Sequence, residues 1–85
     1  MRDARAAQWT VVPHDRSVIV RLESTPALLE WEPILDEIHR CAEHAAVVML
    51  EGPGWLDPFA KVMEGAIRQT LETYGVPVRS SYVPV

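Results

Sequence analysis

Six consecutive apolar residues, Ala45-Ala46-Val47-Val48-Met49-Leu50, run directly into Glu51-Gly52-Pro53-Gly54-Trp55-Leu56-Asp57-Pro58. A short unbroken apolar run ended by turn residues predicts a strand at the centre of a sheet, buried on both faces. The turn after it leads into a helix start. Asp57 is placed to cap that helix and Pro58 to occupy its first position. Phe59, Val62, Met63, Ala66, Ile67, Thr70, Leu71 and Tyr74 then recur as two helical ridges. Gly75 suits the left-handed position that ends a helix.

The chain before the central strand shows both other periodicities. Gln8-Trp9-Thr10-Val11-Val12 carries strand-forming residues, and Ser17-Val18-Ile19-Val20-Arg21-Leu22 alternates with Val18, Val20 and Leu22 on one face. Pro13-His14-Asp15-Arg16 between them reads as a turn, so the two form an antiparallel hairpin. Thr25 and Pro26 signal a helix start, but Pro33 disfavours helix at Glu32. A short turn over 26–31 is therefore expected, followed by a helix over 33–44. Its buried stripe is Ile34, Leu35, Ile38, Cys41, Ala42 and Ala45, with Asp36, Glu37, Arg40 and Glu43 opposite. After Gly75, residues 76–83 read as a last strand, with Pro77 near its start or facing an edge.

The result is an α/β fold: residues 1–85 as one small domain of ββαβαβ order, a mixed four-stranded sheet packed with two main helices, and a frayed start over 1–7. A right-handed strand–helix–strand crossover makes the third and fourth strands parallel. Whether the helices share one face is left open.

Composition narrows the function classes. The chain is 48% hydrophobic and 24% charged, with net charge −4 and pI about 5.2. An acidic chain without a basic cluster argues against nucleic acid as a partner. The single cysteine, Cys41, excludes an internal disulfide framework and a cysteine-based zinc site. No apolar run approaches the roughly 20 residues of a membrane span, and Arg2 and Arg5 are not followed by the apolar core of a secretory signal. A cytoplasmic protein with no membrane partner is the expectation.

Ser17-Val18-Ile19-Val20-Arg21-Leu22, Thr25-Pro26-Ala27-Leu28, 46–52 and Tyr74-Gly75-Val76-Pro77-Val78 resemble the STAS family, shared by anti-sigma factor antagonists and sulfate transporter tails. The resemblance implies a bacterial-type regulatory domain that works by protein–protein interaction. Where that family carries a phosphorylatable Ser or Thr at the start of its second helix, this sequence has Trp55-Leu56-Asp57-Pro58-Phe59, and the phosphorylation switch does not carry over. The STAS order also continues with a further helix and strand, beyond the point where this sequence ends. Val47 to Gly54 and Tyr74-Gly75-Val76-Pro77-Val78 are also similar to the early part of the crotonase family. That resemblance implies a reduced acyl-CoA or acyl-carrier-related enzyme or accessory subunit, without the family's oxyanion turns and catalytic carboxylates.

Candidate chemistry is thin. Gly52-Pro53-Gly54 lacks the Lys and Ser/Thr of a phosphate loop, and Asp57 would repel an anion there, so a strand-to-helix turn is the expected role. Asp36, His39 and Glu43 share a helical face that could hold a metal, but Arg40 lies on it too, and a solvated face is the simpler reading. Cys41 with His39 or His44 has the wrong spacing for a nucleophile pair and sits on the apolar stripe. Glu51 and Asp57 flank one turn without a cleft to serve. No catalytic residue, metal ligand or cofactor is assigned, and the chain reads as non-enzymatic.

Partner binding has better candidates. Three tryptophans, Trp9, Trp31 and Trp55, are many for so small a core, and tryptophan is enriched at interface hot spots. Trp55 between Pro53 and Pro58 reads either as an exposed anchor or as packing over the second helix. Leu56, Asp57 and Phe59 flank it. Tyr82, in a lightly charged final strand, marks an edge open to pairing. Trp55, Leu56, Asp57, Phe59 and Tyr82 are thus the expected partner-binding residues, for a protein partner or a second copy in a homodimer.

Overall fold

In a computed structural model, which describes residues 8–81, the chain forms β1 (Trp9–His14), β2 (Ser17–Leu22), α1 (Trp31–Ala42), β3 (Val47–Glu51), α2 (Pro58–Thr73) and β4 (Val78–Ser80). Short 3-10 turns over Leu28–Glu30 and Pro53–Leu56 precede the two helices. The frayed start expected over 1–7 and the end of the final strand beyond residue 81 lie outside the described residues.

The sheet order is β1-β2-β3-β4. β1 and β2 are antiparallel, and β2, β3 and β4 run parallel. Each crossover steps to the next strand in the same direction. Right-handed connections that all step one way must lay their helices on one side of the sheet. Burial agrees: Val18, Val20, Leu22, Val48, Leu50 and Val78 are buried with Trp31, Ile34, Ile38, Ala42, Ala60, Ile67 and Leu71 of the helices. The described residues therefore form two layers, and among them one face of the sheet carries no helix.

That corrects the reading of the central strand. β3 alternates between half-buried and buried positions rather than being buried throughout. Val48 and Leu50 face the helices; Val47 and Met49 face the other way, where no helix among the described residues covers them.

Local chemistry explains the element ends. The hairpin closes through Asp15 and Arg16, two residues rather than four, with Asp15 at φ 61°. A short polar side chain tolerates this left-handed backbone better than most. Pro13 lies within β1 instead of the turn, on an edge strand where a missing donor is tolerated. Helix α1 starts at Trp31, two residues before the expected position. Pro33 does not break it, because in the first turn a backbone N–H has no intrahelical acceptor to lose. Ile34, Ile38 and Ala42 form its buried stripe, with Leu35, Cys41 and Ala45 partly buried beside them.

At α2 the expected cap is present: Phe59 N donates to Asp57 Oδ2 at 2.9 Å, and Pro58 follows the cap. The helix ends in a Schellman motif: Gly75 (φ 87°) donates to Glu72 O and Val76 to Leu71 O. Only one of the two expected ridges is buried. Ala60, Ile67 and Leu71 pack inward, whereas Phe59, Val62, Ala66, Thr70 and Tyr74 are exposed. Arg68 ties the helix to the last strand. Its guanidinium donates to Val78 O, and Glu64 accepts from both Arg68 and Ser80. No helix among the described residues is long and apolar enough to cross a membrane.

Candidate functional site

The region around Trp55 is built by two glycines. Gly52 has φ 99°, and a Cβ there would sit 2.2 Å from Leu22 O. A Cβ on Gly54 would lie 2.7 Å from both Leu22 Cβ and Ser24 O. Lacking side chains, both residues settle against the end of β2, and the short 3-10 turn carries Trp55 under α2. The ring is fully buried, and its Nε1 donates to Val20 O at 3.2 Å. Trp55 is therefore not an exposed anchor. It is the largest fully buried side chain, and this glycine turn is a packing device.

Trp31 completes an aromatic row. Its ring meets Trp55 edge-on at 6.0 Å and Phe59 edge-on at 6.2 Å. Trp55 is enclosed at one end of the row, while Phe59 is 42% exposed at the other. Trp31 is itself buried, yet its Nε1 has no hydrogen-bond acceptor among the described residues. A buried N–H without an acceptor costs about 1–3 kcal/mol.

Large apolar side chains stand in solvent around the open end of this row. Leu28 is 72% and Leu29 87% exposed in the turn that feeds Trp31; Leu56 and Val62 are exposed one turn before and after Phe59. The Trp31–Phe59 contact brings the two sets to one end of the molecule, the end where the parallel strands finish. Single exposed leucines are ordinary; here the exposed surface of the two segments joined by the Trp31–Phe59 contact carries five large apolar side chains, Leu28, Leu29, Leu56, Phe59 and Val62. Charged neighbours along the chain are mainly acidic: Glu30, Glu32 and Asp57, against Lys61.

Of the expected partner-binding residues, Leu56 and Phe59 lie on this surface and Asp57 caps α2 beside them. Trp55 lies beneath it, and Tyr82 is outside the described residues. Sequence reasoning missed Leu28, Leu29 and Val62. The adjacent leucines after Pro26 were the available signal, since a short turn without helical periodicity gives them no buried face.

The remaining candidates do not converge. Among the described residues, no three of the His, Cys, Asp and Glu side chains come together as a metal site, those of Asp36, His39 and Glu43 included. A groove of about 560 Å³ lies where α1 and α2 end, with Ala42, Leu71 and Val76 apolar and His39, Glu43, Thr70 and Tyr74 polar. No hydrogen bond joins those four polar side chains. Cys41 is half-buried against the core, as expected of a small packing residue. Charge perturbation is confined to the surface. Hydrogen bonding to Glu23, with a smaller contribution from Glu51, raises the pKa of Arg21; hydrogen bonding to Glu37 does the same for Arg40. No protein-family model, curated protein or solved structure matches this chain.

Proposed function

We propose that this chain is a non-enzymatic protein-interaction module of regulatory or assembly type, in line with its STAS-like element order. Its docking surface is Leu28, Leu29, Leu56, Phe59 and Val62. The observation that carries this reading is the exposure of these side chains around the open end of the Trp31 row. The partner chemistry follows from the surroundings. Apolar centre and acidic flanks suit an apolar segment bordered by Lys or Arg, such as an amphipathic helix laid across the surface. A partner carbonyl reaching Trp31 Nε1 as Phe59 or the leucines shift would supply the acceptor that this buried N–H lacks.

A synthetic peptide of about 15 residues, with Leu at helical spacing and Lys elsewhere, supplies that chemistry. It is expected to bind the wild-type domain and to change its tryptophan fluorescence. Leu29→Glu and Phe59→Glu are each expected to weaken binding at least roughly tenfold, the effect of losing an interface hot spot. Val12→Glu, on the helix-free sheet face, leaves it unchanged. Loss of binding in Val12→Glu, with none in the two surface variants, would place the docking surface elsewhere and sink the reading.

A further inference from the structure

The helix-free face of the sheet is the second unpartnered surface, and it lies away from the docking end. Side chains pointing to it form rows across the strands. Val12, Ile19, Met49 and Arg79 make one row; Arg21 and Glu51 are neighbours in the next; His14, Ser17 and Val47 make the third. Val12 is 48% exposed and Ile19, Val47 and Met49 are half-buried. Parallel strands are almost always covered on both faces. Among the described residues, β2, β3 and β4 are covered on one.

We infer that this face is covered by a second copy of the same chain, packed sheet to sheet about a two-fold axis that runs along the strands between β2 and β3. The charges select a second copy over an unrelated partner. A two-fold interface needs each group to meet its complement on an identical surface. Rotation about that axis lays β2 of one copy over β3 of the other, row on row. Ile19 then faces Met49, Arg21, which also pairs with Glu23 of its own chain, faces Glu51, and at the rim Val12 faces Arg79, twice each. Within one chain Arg21 Nη1 already lies 3.6 Å from Glu51 Oε1, so both groups occupy the row that the axis superposes. Sheets stack about 10 Å apart, within reach of an Arg and a Glu extended toward each other. Size sets the strength. Four strands about 4.8 Å apart and about 3.3 Å per residue outline on the order of 300 Å² a side. That totals about 600 Å² for the two copies, below the roughly 1,000 Å² that a stable interface clears, so the association is weak and transient. Dimerisation would leave the docking surface of each copy free and so present two of them to a repeated partner.

Light scattering of the full chain over about 10 µM to 1 mM, a range that spans weak association, tests this. The average mass is expected to rise from the 9.6 kDa of one chain toward twice that value. Arg21→Glu and Glu51→Arg each set like charges across the axis and are expected to hold the mass at the monomer value. An equimolar mixture of the two single variants restores the rise, because the two acidic groups of one copy then meet the two basic groups of the other, while within each chain the two positions stay like-charged. Met49→Glu, checked for native circular dichroism, is expected to stay monomeric; if it does not fold, the charge swap alone decides. Leu29→Glu dimerises as the wild type does. A wild-type mass that stays constant overturns the inference. So does a dimer that survives both single reversals, or one abolished by Leu29→Glu.

Discussion

Replacing Trp55 by alanine is expected to destabilise the domain by about 4 kcal/mol, the range for removing a large buried aromatic from a packed core. The indole is fully buried and is the largest side chain with no exposure. It holds Trp31 edge-on and donates to Val20 O on β2. The substitution removes apolar burial, an aromatic contact and a hydrogen bond together. A domain of this size has a total stability of roughly 4–13 kcal/mol at typical values per residue, so the variant sits near its folding threshold. Urea unfolding measures the loss. Trp55→Phe separates its parts, keeping most of the ring and losing the donor, with a cost of about 1–2 kcal/mol. A loss below about 0.5 kcal/mol for Trp55→Ala, the ordinary range of a surface change, would contradict the buried placement.

Gly52→Ala is the second large effect, at about 3 kcal/mol or more, because it combines two penalties at one atom. The backbone is at φ 99°, which a side chain strains, and the new Cβ would fall 2.2 Å from a backbone oxygen of Leu22 that cannot step aside. Gly75 provides the internal control. Its φ is 87°, but a Cβ there meets nothing within 4 Å. Gly75→Ala therefore carries the conformational penalty alone, about 1 kcal/mol. The difference between the two variants in urea measures how closely the turn is pressed against β2. Equal losses would mean that this close approach carries no energy.

These two variants also show where the sequence was and was not informative. Asp57-Pro58 and Gly75 are local signals, and both ends of α2 fall where they point. The order of elements was legible because each element carries its own periodicity. Depth was not. Pro53 and Pro58 around Trp55 look like an exposed loop, and only the fit of Gly52 and Gly54 against Leu22 and Ser24, contacts about 30 residues away in the chain, drives the ring inward. The run from Ala45 to Leu50 looks buried on both faces because an apolar side chain does not record which side of the sheet its helices occupy. That is settled by the direction of the crossovers, hence by the strand order. The second ridge of α2 shows the same limit: Val62 has the spacing and chemistry of a core position, and the fold turns it to solvent beside Phe59, whose exposure suits the partner-binding role expected of it. At Pro33 the preference against helix at the preceding residue was read as a break at Glu32, yet Glu32 is helical in the first turn of α1.

Part of the apolar pattern thus lies outside the core, on the surface proposed for docking and on the open sheet face. The direct test of the docking role is to titrate the 15N-labelled domain with the Leu/Lys peptide and follow every backbone amide. The account predicts shifts concentrated in the segments around Leu28, Leu29 and Trp31 and from Trp55 to Val62, with the β1 and β2 amides nearest Val12 and Ile19 unmoved. Shifts centred on Val12, Ile19 and Met49, or no shifts at peptide concentrations of about 1 mM, where even weak complexes form, would contradict it.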